Sequence, residues 1–367
     1  MTDALTDWPR APGRARLRMA GAPSWQAGFK ASPEAFRVDE DLGFEPAGAG
    51  NHWLLRLEKR DMTTGALVDR VAAITGTKPR DIGLCGLKDR QAVTSQWLSV
   101  PHETFDPAAF EAACAAEGIG LLAMDRHDKK LRRGIHWANR FRLVLHDVAP
   151  RPGEDAPALA QYLAERRERL ASRGFANYFG EQRYGRGFSN LEALREWGQG
   201  ERRGSPKRAA RNWLLSTLRS AIFDRVLADR LEQATVATVL EGDVLRLAGS
   251  RSRFVAEADE IDALQRRLDA GDLSLTGPLW GETGTQAVAA VGERETALAD
   301  AMLERWGRES WQRRLVQWRV EPDRRPLTIP VADLAFEVGE GTVTLSFSLP
   351  PGSYATELVA ELFAPPA

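Results

Sequence analysis

Apolar and polar residues alternate along three segments of the chain, and this period of two predicts strands. Two segments lie near the N-terminus, with alternating positions Phe36, Val38 and Glu40 in the first and Trp53, Leu55 and Leu57 in the second. The third lies near the C-terminus, with alternating positions Val343, Leu345, Phe347 and Leu349. Shorter strands are predicted at Phe141–Leu145 and within Val236–Ala256. Sheet-forming segments therefore occur at both ends of the chain.

Helical spacing of apolar residues predicts a second set of elements. The predicted helices are Thr63–Thr75, Phe105–Gly118, Ala158–Ser172, Lys207–Gln233 and Glu260–Ala270, with a short terminal helix from Ser353. The first has Thr63 as its N-cap and Gly76 as its stop, and Asp106 with Pro107 caps the second. The glycine-rich stretch Gly271–Gly292 fits neither GxxxxGK[ST] nor GxGxxG, so we interpret it as a loop.

These elements predict an α+β protein. A chain of 367 residues with 43% hydrophobic content is long enough for two domains rather than one. A proline-rich linker, Pro150–Pro157, breaks the pattern before the predicted helix Ala158–Ser172. We expect a mixed β-sheet domain assembled from both ends of the chain and interrupted by a largely independent middle.

Composition narrows the classes of function. The net charge of −1 and the pI near 6.6 exclude the uniform basicity of a nonspecific nucleic-acid coat protein, so any RNA contact must come from local clusters. Cys85 and Cys114 lack the spacing of a zinc site or a disulfide framework and are interpreted as reduced thiols. The five histidines include no HxxxH or HExxH pair, so no metal site is predicted. Residues 1–18 have no apolar core of signal-peptide length and no apolar run could span a bilayer, so we expect a cytoplasmic protein without membrane contact.

Basic residues concentrate in two clusters. The first, Arg126–Arg142, contains Arg126, Lys129, Lys130, Arg132, Arg133, Arg140 and Arg142 against a single acid, Asp128. The second contains Arg202, Arg203, Lys207, Arg208, Arg211 and Arg219. Such runs are usually solvated faces, but Trp137 and Phe141 interleave the first cluster. Cations mixed with aromatics are typical of surfaces that hold phosphates and stack on bases, so RNA contact and a solvated face both stay open.

One carboxylate stands out between cations. The apolar run Ile82–Leu87 ends at Lys88, Asp89 and Arg90, which predicts Asp89 at the end of a strand. Nearby positive charge favours an ionised carboxylate, so Asp89 is suited to act as a nucleophile or general base rather than as an acid. The alternative interpretation is a solvated turn, which is the commonest role of such a triplet.

Five segments of the chain together resemble the TruD family of tRNA pseudouridine synthases. These are KASPEAFRVDEDLGFEP (Lys30–Pro46), GLKDRQAVTSQWLSV (Gly86–Val100), HDKKLRRGIHWANRFRLVL (His127–Leu145), NYFGEQRYG (Asn177–Gly185) and LPPGSYATELVAEL (Leu349–Leu362). They occur in the family's order and span nearly the whole chain, which makes the resemblance more specific than any single motif.

The resemblance implies roles for individual residues. Asp89 matches the family's catalytic aspartate in GxKD, and Lys30 matches the lysine expected near that aspartate and near the substrate. Phe36 would wall the pocket, although a strand residue facing the core is equally compatible with it. Asn139 and Phe141 match the GNxF element, in which the ring would stack on the uracil and the amide would orient Asp89 or the backbone.

Two positions depart from the family pattern. Ala138 replaces the glycine before the asparagine, a change that matters only if the backbone requires a positive φ. Tyr354 replaces the phenylalanine of LPxGSFAT, so the substrate-binding ring is retained and its added hydroxyl needs a partner.

The resemblance also implies the architecture and the reaction. A pseudouridine-synthase-type mixed β-sheet catalytic domain would comprise residues 1–173 and 329–367, with an inserted α/β TRUD domain at 174–328. The expected reaction isomerises uridine 13 in the D-arm of tRNA with base flipping, no cofactor and no metal, by a monomer. Contacts to the RNA backbone are expected from Lys129, Lys130, Arg132, Arg133 and Arg183.

Two other functions stay open on the sequence. The basic clusters would also suit a noncatalytic structured-RNA-binding protein or RNA chaperone in which Asp89 is structural. An unrelated hydrolase with an aspartate nucleophile is a third option, and turnover rather than binding separates these classes.

Overall fold

The computed structural model describes residues 16–104, 106–202, 204 and 206–366. Its strands are β1 (Trp25–Gly28), β2 (Phe36–Asp41), β3 (His52–Arg60), β4 (Gly83–Leu84), β5 (Val93–Pro101), β6 (Gly120–His127), β7 (Ala138–Pro150), β8 (Phe175–Ala176), β9 (Val244–Leu247), β10 (Arg253–Val255), β11 (Leu273–Leu279), β12 (Asp323–Pro326), β13 (Thr328–Ile329), β14 (Ala335–Gly339) and β15 (Thr342–Leu349). Its α-helices are α1 (Thr64–Thr75), α2 (Pro107–Ala116), α3 (Leu159–Arg173), α4 (Ser189–Gly198), α5 (Arg208–Glu232), α6 (Ile261–Asp269), α7 (Ala289–Trp306), α8 (Arg308–Gln317) and α9 (Ala355–Leu362).

The chain divides into two compact units. The first contains residues 168–330 together with the short segments 16–22 and 356–361, and the second contains residues 23–167, 331–355 and 362–366, within the described parts of the chain. Each unit has its own sheet and its own buried apolar residues.

The second unit is built on a mixed sheet that uses both ends of the chain. Seven of its strands follow the order β14-β15-β7-β2-β5-β3-β6, while β1 pairs with β7 and β4 pairs with β5. The pair β2–β5 is parallel, and the other pairs are antiparallel. The C-terminal strand β15 lies beside β7, with Phe347 opposite Phe141. The predicted α+β fold with a mixed sheet from both chain ends is confirmed.

Helices α1 and α2 supply the core of the second unit. Thr63 caps α1 by accepting a hydrogen bond from the amide of Ala66, and Gly76 ends the helix at φ 67°, as predicted. Asp106 caps α2 in the same way, while Phe105, where that helix was predicted to begin, lies outside the described residues. The helices contribute to a single apolar cluster with the sheet, whose buried members include Leu55, Leu57, Leu67, Val71, Leu98, Val100, Phe110 and Cys114.

The first unit is organised around α5, whose flanking residues Lys207 and Gln233 are the limits that the sequence predicted. A sheet of order β10-β9-β11-β12 accompanies it. The interpretation of Gly271–Gly292 as a loop is wrong, because β11 lies within this stretch and pairs with both β9 and β12. A Cβ at Gly277 would press on the rings and methyls of Phe223 and Leu327, so this glycine allows close packing rather than a turn.

The aromatic segment NYFGEQRYG also serves packing. Tyr178, Phe179 and Tyr184 are buried, and the carboxylate of Asp224 on α5 accepts hydrogen bonds from the Phe179 amide (2.8 Å) and the Tyr184 hydroxyl (2.6 Å). Burial raises the pKa of Asp224 to about 7. Gly185 adopts φ 77°, where a side chain would be strained. The rings of this segment therefore belong to the core of the first unit.

The first unit contains a buried ion pair between Arg324 and Glu295. The guanidinium of Arg324, with a fully buried side chain, donates to Glu295 at 2.7 Å and to Thr276 and Thr285. Removing one partner of such a pair leaves an uncompensated buried charge, which typically costs about 3–5 kcal/mol. We therefore expect Arg324→Met to lower the free energy of unfolding by about that amount, measured by urea denaturation.

The matched control is Arg308→Met in the same unit. Arg308 pairs with Asp300 and Glu304 at a partly exposed position, where such pairs contribute about 1 kcal/mol or less. Equal losses of stability in the two variants would contradict the buried-pair assignment.

Candidate active site

Asp89 lies in the loop between β4 and β5. The predicted strand is shorter than its apolar run, because β4 ends at Leu84 and Leu87 is 66% exposed. Gly83 allows the close approach of the chain at Leu131, since a Cβ there would collide with the Leu131 backbone and with Ser99. Asp89 is therefore carried on an irregular loop that is anchored at its start to the sheet.

An ion pair joins Asp89 to Lys30. The Lys30 ammonium is 2.7 Å from the Asp89 carboxylate, and the side chains are 22% and 44% exposed respectively. The same ammonium lies 4.2 Å from the ring centroid of Phe36 and 5.5 Å from that of Phe29, so it also makes cation–π contacts. Lys30 has φ 62°, a left-handed conformation that costs a non-glycine residue on the order of 1 kcal/mol. Such strain is commonly retained at functional sites.

The two sequence neighbours of Asp89 are engaged elsewhere, which corrects the expectation that they would flank its carboxylate. The Lys88 ammonium donates to Glu40 and to Asn139, both at 2.6 Å, and its side chain is 5% exposed. Arg90 pairs with Asp61 at 3.4 Å. Side chains of consecutive loop residues diverge, so the contacting cation comes from Lys30, which is distant in sequence.

Buried side chains fix the backbone of this loop. The ammonium of Lys59 donates to the main-chain carbonyl of Asp89 at 2.8 Å, and the hydroxyl of Thr64 accepts from the amide of Lys88 at 2.9 Å. Lys59 is 1% exposed, and burial lowers its pKa to about 8, although the nearby Asp89 charge opposes that shift. The loop is therefore held on both sides of the Lys88–Asp89 peptide.

Glu40 is the third buried side chain that holds this loop in place. Its side chain is fully buried, and its two oxygens accept from the Trp97 amide (3.0 Å) and from the Lys88 ammonium. The Asn139 side chain contacts Lys88 and the His136 ring (3.2 Å), so the structure shows it orienting Lys88 rather than Asp89 itself. Burial lowers the pKa of His136. These groups bind the loop to β2 and β7.

Aromatic rings line up beside the ion pair. Phe36 is 4% exposed and meets Phe29 and Phe141 edge to face, at centroid distances of 5.5 and 6.2 Å. Phe141 is half-buried and stacks on Phe347 at 5.1 Å with an interplanar angle of 17°. Phe36 therefore faces the core and also contacts Lys30, and its place in a substrate pocket stays a prediction. Phe141 retains some exposed ring surface.

The first basic cluster, Arg126–Arg142, divides into two groups. Four exposed residues lie in the loop between β6 and β7, namely Lys129, Lys130, Arg132 and Arg133, of which Lys130 donates to the Arg80 carbonyl. Three others are held by protein groups: Arg126 by Gly50 and the Trp53 ring, Arg140 by Asp41, and Arg142 by Glu337. Trp137 is 67% exposed beside the first group. The first group is presented to solvent, whereas Arg140 and Arg142 are exposed but each is paired with a carboxylate.

Arg183 and Tyr354 are the two remaining predicted residues. Arg183 belongs to the first unit, where it donates to Ser216 at 2.8 Å and lies over the Phe179 ring, so much of its side chain serves packing. Tyr354 is half-buried immediately before α9. The roles of both residues in RNA binding stay predictions.

No group of three or more His, Cys, Asp and Glu side chains suitable for a metal ion occurs among the described residues. In that same part of the chain, no helix combines the length and apolar character needed to cross a membrane. Cys85 and Cys114 are buried and unpaired with each other, and burial raises the pKa of these thiols to about 12 and about 11.

Sequence reasoning missed the roles of Glu40 and Lys59, although a signal for both exists. Glu40 continues the inward-facing alternation of Phe36 and Val38, and Lys59 continues that of Leu55 and Leu57. A charged residue at the next buried position of a strand needs a partner, because burying an unpaired charge is costly. This pattern would have indicated a buried polar anchor.

Three comparisons with known proteins agree. The family model for tRNA pseudouridine synthase D (TruD) matches residues 15–192 and 206–362. A tRNA pseudouridine synthase D from Chromohalobacter salexigens is 40% identical over 365 residues, which cover 98% of this chain and 97% of that protein. A crystal structure assigned to tRNA pseudouridine synthase D (TruD) from Methanosarcina mazei has the same fold, with a TM-score of 0.72, 20% identity and 95% of each chain covered.

The buried lysine predicts a specific pH dependence. The unfolded chain keeps the ordinary lysine pKa of 10.5, so between about pH 8 and that value the folded protein releases the Lys59 proton first. The free energy of unfolding of the wild type, relative to Lys59→Met, should therefore rise across this window, by on the order of 2 kcal/mol at about pH 10. Urea denaturation of both proteins at several pH values measures the difference, and a flat difference would contradict the lowered pKa.

Proposed function

The chain belongs to the tRNA pseudouridine synthase D (TruD) family, and on that premise we propose that it converts uridine 13 in the D-arm of tRNA to pseudouridine with Asp89 as the catalytic residue. The observation that carries the proposal is the half-exposed Asp89 carboxylate, paired with Lys30 on a loop whose backbone is fixed by Lys59. A carboxylate held in place yet open to solvent can reach a substrate atom without a rearrangement of the loop.

The reaction is an isomerisation and balances without a co-reactant. The bond between N1 of uracil and C1′ of the ribose breaks, the uracil turns, and a bond forms between C5 and C1′ while C5 loses its proton and N1 gains one. An ionised carboxylate serves this chemistry either by adding to C1′ or by removing the 2′ proton of the sugar. Asp89 would fill either role from the same position.

Lys30 would act on both the enzyme and the substrate. Its ammonium compensates the charge of Asp89 in the free protein, and it carries N–H donors that suit a uracil carbonyl or a phosphate oxygen. The cation–π contact with Phe36 limits the positions that its flexible side chain can take. We therefore assign Lys30 to substrate orientation beside Asp89.

The aromatic residues would receive the extruded base. The exposed part of Phe141 would stack on the uracil, with Phe36 supporting it and Asn139 holding Lys88 in place. Tyr354 would contribute a further ring. Unstacking and flipping a base costs a few kcal/mol, which phosphate contacts elsewhere can offset. The four exposed cations of the β6–β7 loop, Lys129, Lys130, Arg132 and Arg133, are suited to those contacts.

Tritium release tests the proposal directly. Conversion of uridine labelled at C5 frees that tritium as the new bond forms, so we expect release from a labelled tRNA transcript by the wild type. Asp89→Asn should abolish release, because the amide is neutral and neither adds to carbon nor accepts the proton as a carboxylate does. A transcript with cytidine at position 13 should release none.

Asp69→Asn is the matched control, because Asp69 is exposed on α1 and receives the same isosteric change. It should release tritium as the wild type does. Undiminished release by Asp89→Asn would reject the assignment and favour a structural role for Asp89. If tRNA binding occurred with no release by the wild type, the protein would be a noncatalytic RNA-binding protein instead.

A further inference from the structure

A cavity of about 560 Å³ lies within the first compact unit, and its lining includes none of the residues of the Asp89 site. Its lining comes from α5, the start of β10 and the segment that joins α8 to β12. The charged lining residues are Arg211, Arg219, Arg253, Arg319, Glu321 and Asp323, and Trp318 lies among them. The cavity therefore collects four guanidinium groups and two carboxylates.

The ion pairs of this cavity leave a positive excess. Arg253 and Asp323 neutralise each other, with a contact of 2.6 Å. Arg219 instead donates to the main-chain carbonyls of Leu279 and Glu321, both at 3.0 Å. Carbonyl oxygens satisfy N–H donors but carry no net charge, so they do not neutralise the guanidinium.

Arg219 is half-buried, and burial lowers its pKa despite the opposing influence of Asp323. With Arg253 and Asp323 paired, Arg211, Arg219 and Arg319 face one remaining carboxylate, that of Glu321. The lining of the cavity therefore carries more positive than negative charge.

Two further arginines face the same space. Arg211 donates to the Trp318 carbonyl at 3.2 Å, and its guanidinium lies 5.1 Å from the centroid of the Trp318 ring. Arg319 is exposed, and no ion pair of its side chain is found within the described ranges. Its guanidinium is therefore available to a ligand.

We propose that this cavity binds a backbone phosphate of the tRNA substrate, with Arg319 and Arg211 as the direct contacts and Arg219 supplying long-range charge. Guanidinium groups present planar pairs of donors that match phosphate oxygens. The guanidiniums of Arg211 and Arg314 lie 5.1 and 5.7 Å from the centroid of the Trp318 ring, so this ring positions Arg211. The inference rests on the proposed function, since it takes tRNA as the ligand.

Salt-dependent tRNA binding tests this assignment. Each lost phosphate contact lowers the slope of log affinity against log salt by about 0.7–0.9. We expect Arg319→Glu to weaken tRNA binding by about tenfold or more at low salt, and to reduce the slope by about one contact. Arg319→Lys should restore most of the affinity and the slope, because it keeps the charge.

Arg267→Glu on α6 is the matched control, since Arg267 is exposed in the same unit, does not line the cavity and undergoes the same charge reversal. It should bind tRNA with the wild-type slope. Tritium release at saturating tRNA should be unchanged in Arg319→Glu, whereas the KM should rise. An unchanged rate at saturating tRNA together with a raised KM distinguishes the loss of a binding contact from damage to the Asp89 site.

Three results would overturn the proposal. The first is that Arg319→Glu binds tRNA with the affinity and salt slope of the wild type, while the wild type still releases tritium. The proposed function would then remain intact. The second is an equal loss of affinity in Arg267→Glu, which indicates only general repulsion. The third is that inorganic phosphate stabilises the wild type against heat but does not stabilise Arg319→Glu, while the two proteins bind tRNA with the same affinity. That result would assign the cavity to a free anion. Failure of the proposed function would instead show as absent tritium release with tRNA binding still dependent on Arg319.

Discussion

The hydrogen bond from the buried ammonium of Lys59 to the carbonyl of Asp89 is the constraint on which the loop that carries Asp89 depends. The loop has only a two-residue strand before it, so regular pairing cannot hold Asp89 in place. The Lys59 ammonium holds the backbone carbonyl of Asp89. The ion pair between Lys88 and Glu40 joins the residue before Asp89 to β2. With the backbone and the neighbouring side chain fixed, the Asp89 carboxylate is left half-exposed against Lys30.

This arrangement positions the Asp89 carboxylate accurately but lowers the stability of the fold. Burying Lys59, Lys88 and Glu40 removes three charges from water, and a buried ion pair often contributes little net stability compared with apolar packing. Such a pair does have strong directional requirements, because each charged group must meet its donors or acceptors at short distance. We interpret the buried anchor as the cost of placing one carboxylate accurately, and the left-handed backbone of Lys30 as a smaller cost of the same kind.

The sequence predicted the elements whose determinants are local. The limits of α1 follow from Thr63 and Gly76, and those of α5 from an apolar stripe that runs its full length. The strand β11 was missed because its glycine reflects close packing with Phe223, which is a tertiary effect. The partners of Lys88 and Arg90 were also unpredictable from their neighbours, since Glu40, Asn139 and Asp61 come from other strands and loops. Motif resemblance identified Lys30 and Asp89 as a pair, but the contact between them required the fold.

The central claim is that Asp89 drives formation of pseudouridine at one tRNA position. Its most direct measurement is a map of pseudouridine in tRNA from cells that lack this gene, complemented either with the wild type or with Asp89→Asn at equal protein levels. The account predicts that the modification at position 13 is absent without the gene, returns with the wild type and stays absent with Asp89→Asn, while other pseudouridines are unchanged. Restoration of position 13 by Asp89→Asn, or a full set of pseudouridines in the cells without the gene, would contradict it.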